Sequence, residues 1–222
     1  MPASILNRLR KTASVLTLAV ALMSVSACDT AEERAEKHFQ SGMELLEAGD
    51  VDRALVEFRN VFKLNGQHRE ARQVYAKAER DRGRLREAYS QYLRLVEQYP
   101  DDLDGQRALA EIAAQTGDWA EAEVHVTTAL ALKPDDLPSQ AVKLALDYGR
   151  AKTDSDLALM DTIATQATEL RGKLPDSQLL LSVLIDHALA SQNYPSAMSL
   201  IDTALTKAPD DRVLYGLRLS TL

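Results

Sequence analysis

From residue 35 onward, apolar side chains recur three and four residues apart, and the whole pattern returns every 34 residues. That spacing gathers them on one face of a helix. Ala54, Ala88 and Ala122 lie 34 apart, each followed four residues later by a larger side chain (Phe58, Tyr92, Val126), and Ala197 with Ile201 repeats the pair. The small residue marks a close helix crossing and the large one fills the space between units. Gly49, Gly83 and Gly117 keep the same period and stand where a first helix should end in a left-handed residue. Pro100 and Pro134, like Pro175 and Pro209, stop a second helix, and the aspartates after them, Asp101, Asp135, Asp176 and Asp210, are expected to cap the next one.

The pattern predicts two-helix units at 35–68, 69–102, 103–136, 137–177 and 178–211, with the first helix of an incomplete sixth at 212–222. Each helix should have about 14 residues and a length of roughly 21 Å. No such unit buries its apolar stripe alone, so stability must come from stacked neighbours. Trp119 and the tyrosines fall on packing positions and are expected in the core. Three places depart from the pattern. Gly66 stands where other units have Pro, which predicts a looser junction. The fourth unit carries seven extra residues and has Lys152-Thr153-Asp154-Ser155-Asp156 in place of the glycine turn. Its stripe of Leu159, Ile163, Ala167 and Leu170 predicts a longer second helix. The insertion is either a tolerated loop or a protrusion that meets a partner. At the end, Val213, Leu214, Leu217, Leu219 and Leu222 spread around most of the last helix. Either the chain continues into a longer repeat protein, or this end is an association surface or a frayed tail.

The third unit, with Leu109-Ala110, Ala113, Gly117-Asp118-Trp119, Ala122, Ala129 and Lys133-Pro134-Asp135-Asp136, resembles the tetratricopeptide repeat, and the likeness covers everything after residue 34. It implies an all-α, right-handed superhelical solenoid whose first helices line a concave groove for peptides or helices. By that likeness the groove would present Phe39, Met43, Leu46, Gln73, Lys77, Arg80, Arg107, Glu111, Val142, Leu146, Ser182, Asp186 and Leu189. Relatives that clamp a chaperone's C-terminal carboxylate use Lys and Asn on these helices. Phe39, Met43, Val74, Asp104 and Ala108 occupy those places here, so no such clamp is expected. Phe39, Met43 and Leu46 instead suit an amphipathic helix, or else pack on the tether or stand singly exposed.

The N-terminus reads differently. Arg8, Arg10 and Lys11 precede an apolar stretch from Val15 to Val25, whose 11 residues are too few for a bilayer that needs roughly 20. Val25-Ser26-Ala27-Cys28 resembles the lipobox of bacterial lipoproteins. That likeness implies a signal peptide at 1–27, removed by cleavage, and a tether at 28–34 whose Cys28 carries diacylglycerol and an acylated amine. Two or three chains anchor stably where one does not. By the same likeness, Asp29 implies retention at the inner rather than the outer membrane, with the chain on the periplasmic side.

Little else in the chain promises chemistry. Apolar residues make up 45% and aromatics 5%, with Ala and Leu dominant, which suits helices packed through small residues. The net charge is −7, and the first 27 residues contribute only cations, so the remainder is more acidic still and repels nucleic acid. His38, His68, His125 and His187 occupy different places in their units, and no pair has metal-helix spacing. With no phosphate loop, no nucleophile elbow and one cysteine, no catalytic residue, metal or cofactor is expected. The expected function is a lipid-anchored scaffold for protein partners in a cell-envelope assembly. Leu46-Glu47-Ala48-Gly49-Asp50 and Ala54-Leu55-Val56-Glu57-Phe58 resemble lipoproteins of exopolysaccharide export. Pilus assembly, outer-membrane protein assembly and carriage of an apolar ligand are the alternatives.

Overall fold

The computed structural model describes residues 29–221, so the expected signal peptide and Cys28 lie outside the described residues. Among the described residues are eleven helices and no strand. They are α1 (Ala31–Glu47), α2 (Val51–Leu64), α3 (Arg69–Asp81), α4 (Leu85–Gln98), α5 (Leu103–Thr116), α6 (Trp119–Leu132), α7 (Leu137–Thr153), α8 (Leu157–Lys173), α9 (Gln178–Ala190), α10 (Tyr194–Lys207) and α11 (Arg212–Ser220). Two compact units divide within α3, one ending at Tyr75 and the other beginning at Ala76.

In the first unit, α1 starts inside the segment expected to be a tether. Thr30 Oγ1 accepts from the Glu33 amide at 3.1 Å, while the Thr30 amide donates to Glu33 Oε2 at 2.8 Å. This reciprocal cap satisfies two otherwise orphaned donors and carries the helix back to Ala31. The crossing of α1 and α2 is tight, since a Cβ on Gly42 would lie 2.6 Å from Phe58 Cε1. Ala35, Ala54, Phe58 and Val61 are completely buried there.

The second unit stacks its hairpins through the periodic residues. Ala88, Ala122 and Ala197 are fully buried beside Tyr92, Val126 and Ile201. Each first helix ends in one backbone turn whatever the residue. Gly49, Gly83 and Gly117 have φ of +79°, +74° and +79°, and Ser155 and Gln192 take the same place at +58° and +57°. In all five hairpins the amide after that residue reaches back to a carbonyl five residues earlier, as Asp118 does to Ala113 and Asp156 to Ala151, both at 2.9 Å. Five carbonyls are thus satisfied by one geometry.

At the junctions, the caps sit one residue later than expected. Asp102 accepts from the Gly105 amide at 2.8 Å, Asp136 from Ser139 at 3.1 Å and Ser177 from Leu180 at 3.3 Å. Asp211 caps α11, and His68 Nδ1 accepts from Ala71 at 3.2 Å in the first unit. Asp101, Asp135, Asp176 and Asp210 are exposed in the turn. The Gly66 junction is not built more loosely than the rest. Arg72 donates to the Gly66 carbonyl at 2.6 Å, as Gln106 does to Pro100 at 3.0 Å and Gln140 to Pro134 at 2.9 Å.

The seven-residue insertion is no loop. Compared with α5 and α6, three residues lengthen α7, three lengthen α8 and one widens the turn between them. Three residues add about 4.5 Å to a helix, so the hairpin extends at its tip by nearly a turn. Met160 fills the added turn in a cluster with Tyr148 and Ala151. At the other end, α11 packs Leu214 and Leu217 on α9 and α10, leaving Val213 72% and Leu219 71% exposed.

Candidate functional site

Within the second unit, first helices touch first helices of the neighbouring repeats (α5 with α7, α7 with α9), whereas no comparable contact joins α6 to α8 or α8 to α10 among the described residues. The stack of this unit therefore closes on its first-helix side, which forms the concave face. Glu111, Ala114, Gln115, Pro138, Ala141 and Ser182 border a depression there of about 700 Å³. That size falls in the range of about 300–1,000 Å³ typical of ligand sites. Its far wall is the turn from Leu174 to Ser177, and its rim is Trp119.

Trp119 is not the core residue expected. By spacing it shares the face of Ala122 and Val126, but as the first residue of α6 it is 49% exposed. The indole also borders a neighbouring depression of about 560 Å³ beside Gly149, Arg150 and Thr153. Of the tyrosines, Tyr75, Tyr92 and Tyr148 are buried as expected, while Tyr194 and Tyr215 are exposed. Burial pushes the Tyr148 hydroxyl up to about 12.

The expected groove residues differ in their surroundings. Glu111, Val142 and Ser182 border the same depression. Val142 and Leu146, however, are only 1% and 4% exposed, because they pack between repeats against Ala110, Ala114 and Val126. They belong to the core and offer a partner little surface. The charged residues are largely answered by one another. Arg80 meets Glu111 at 3.1 Å, Arg107 meets Asp136 at 3.1 Å and also Asp104, and Lys152 meets Asp186 at 2.7 Å. Lys77 is exposed and pairs with Asp81 on its own helix at 2.5 Å. Three of these pairs join successive first helices, so the face expected to be an open charged series is tied together. Burial raises Glu111 above the ordinary carboxylate range, although Arg80 and Arg107 pull the other way. Leu189 is half-buried against the cluster of Leu181 and Ile185.

In the first unit, Phe39, Met43, Leu46 and Gln73 are all half-buried. Phe39 has its ring centroid 4.8 Å from that of His68 and 6.0 Å from that of Phe58, so this patch is covered in part by its own repeat.

Polar side chains also tie the hairpins internally. His125 Nδ1 and Gln106 Oε1 lie 2.8 Å apart, and His38 and Glu57 bond at the equivalent positions at 2.6 Å. Burial lowers the His125 pKa from its ordinary 6.5, partly offset by Glu121. Among the described residues, no group of three or more His, Cys, Asp and Glu could hold a metal ion, and no helix is long and apolar enough to cross a membrane.

A family model described as the tetratricopeptide repeat matches residues 45–112. No curated protein sequence matches the chain. A solved tetratricopeptide repeat protein from Parabacteroides merdae aligns with a TM-score of 0.57 at 14% identity, over 85% of this chain and 72% of that one. YrrB, described as having an unusual peptide-binding site, aligns at 0.55 and 14% identity over 83% and 91% of the two chains. PilW, a type IV pilus biogenesis factor, aligns at 0.53 and 13% identity over 80% and 79%. At such identities the likeness concerns the fold. Together with the 34-residue period and the stacked hairpins, these likenesses show that the chain has the fold of tetratricopeptide-repeat proteins.

Proposed function

We propose that this chain is a scaffold of the bacterial cell envelope, held on the periplasmic side of a membrane by a lipid on Cys28, and that it gathers protein partners on its first-helix face. The observation that carries the reading is the depression bordered by Trp119 and the first helices of three successive repeats. A half-exposed indole beside an apolar groove is the kind of anchor on which partner binding concentrates. The ion pairs between first helices support the same reading, because a groove already held in shape loses little entropy when a partner enters.

Exopolysaccharide export is the assembly favoured by the phrases around Gly49 and Ala54. Pilus assembly is the second reading, favoured by the shared fold of PilW. Carriage of an apolar small molecule fits less well, because Glu111, Gln115, Gln178 and Ser182 set polar side chains along the otherwise apolar groove. The lipobox supports the anchor, and Asp29 supports the inner membrane.

Fractionation tests the anchor. The native chain is expected in the membrane pellet, carrying a mass increment of fatty acyl chains on Cys28, while a Cys28→Ser chain is released or left unprocessed. A cleaved Cys28→Ser chain that stays with the membrane would end the anchoring claim.

A further inference from the structure

Three charged side chains border the groove of the second unit: Glu111, Lys173 and Asp176. Two of them are answered, since Glu111 is bonded by Arg80 at 3.1 Å and Asp176 is paired with Lys207. Lys173, the last residue of α8, is exposed and has no ion-pair or hydrogen-bond partner among the described residues. Its place at a helix C-terminus suits a cation. Much of the remaining wall is apolar, with Ala114, Trp119, Pro138 and Leu179. An occupant that covers this wall also strips water from Lys173. If it brings no anion, the ammonium is left desolvated and alone, which opposes binding. If it brings a carboxylate, the same desolvation yields a charge-assisted bond.

We propose that the groove selects apolar segments that carry an acidic side chain, with Lys173 holding the carboxylate and Trp119 covering an adjacent apolar residue. This rests on the reading that the first-helix groove takes a protein segment. The chain's net charge of −7 opposes an acidic segment from afar. That repulsion is screened beyond about 8 Å at physiological salt, so the preference arises at contact.

Trp119 is the single tryptophan, and its emission reports occupancy of the groove in the full-length chain. The probes are short acetylated and amidated peptides of Leu, Ala and Ser in which one Asp is moved through every position, each with a matching Asn peptide. At least one Asp peptide is expected to bind about tenfold tighter than its Asn counterpart, the scale of a single charge-assisted bond. In Lys173→Gln that advantage disappears, while the Asn peptide binds as before. Equal affinities for Asp and Asn peptides in the native chain, or an undiminished preference in Lys173→Gln, would overturn the proposal and leave the groove as a peptide site. A groove that responds to no peptide of either kind would overturn the underlying reading as well.

Discussion

Repeats three and four of the second unit perform the same task with different parts. Repeat three has two helices of 14 residues and a glycine turn; repeat four has two of 17 and a serine in the left-handed place. In repeat three the crossing position holds Ala122, with Val126 four residues on. Counting back from the second-helix end, repeat four places Ile163 in the first position and Ala167 in the second, and both are buried. The sizes are exchanged while the pair keeps both a small and a large member. What the repeat preserves is the turn geometry, the caps and the total volume between helices, while helix length and residue identity at any one position can vary. That is the behaviour expected of cores filled by volume and pattern.

Exchange of the pair gives the largest effect. Ile163→Ala should cost about 2–4 kcal/mol, because it leaves two small residues facing one gap. Adding Ala167→Ile should recover at least half of the loss; a double variant as unstable as the single one would show that the positions are not equivalent. In repeat three the opposite change, Ala122→Leu, overpacks a fully buried crossing and should cost about 1–3 kcal/mol in chemical denaturation. An unaltered midpoint would place the crossing elsewhere.

The caps give a smaller effect. Asp136 is buried, accepts from Ser139 and meets Arg107, so Asp136→Ala should cost about 1–2 kcal/mol. Asp135→Ala, one residue earlier and exposed, should change stability by less than about 0.5 kcal/mol. Equal costs would restore the cap to Asp135. In the turns, Ser155→Gly should stabilise by about 0.5–1 kcal/mol, because an L-residue at φ of +58° carries strain that glycine lacks. Gly117→Ser should cost a similar amount.

The smallest predicted effect is titration. Folded His125 holds its proton less tightly than an ordinary histidine at 6.5, so the unfolded chain binds more protons below that pH. Its contribution is complete above about pH 6.5 and is lost as the pH falls through the lowered value. His125→Gln should flatten the slope of denaturation midpoint against pH between about 7 and 5. An unchanged slope would assign the acid sensitivity to other groups.

The period, the hairpin order and the glycine turns were legible in the sequence because each depends on spacing along one helix. Features set by the packing of one repeat on the next were not. Pro134-Asp135-Asp136 offers two candidate caps, and only the turn decides that the second faces the helix. Val142 and Leu146 stand on a first helix, but the neighbouring repeat covers the side they occupy. Arg80 and Glu111, 31 residues apart, look like an open series until stacking brings them to 3.1 Å. Arg80→Glu would therefore disturb a structural pair as well as any binding, and Lys173 is the cleaner probe. Trp119, three residues before Ala122, lies on the same face by spacing, so its exposure at the start of α6 was not legible.

The central claim is that partners meet the concave, first-helix face of the second unit. Photo-crosslinking in intact membranes tests it most directly, with a photoreactive residue placed either at Ser182 in the groove or at Thr127 on the exposed face of α6. The account predicts a discrete protein adduct from position 182 and none from position 127. An adduct from 127 alone would move the binding site to the second-helix face and contradict the account.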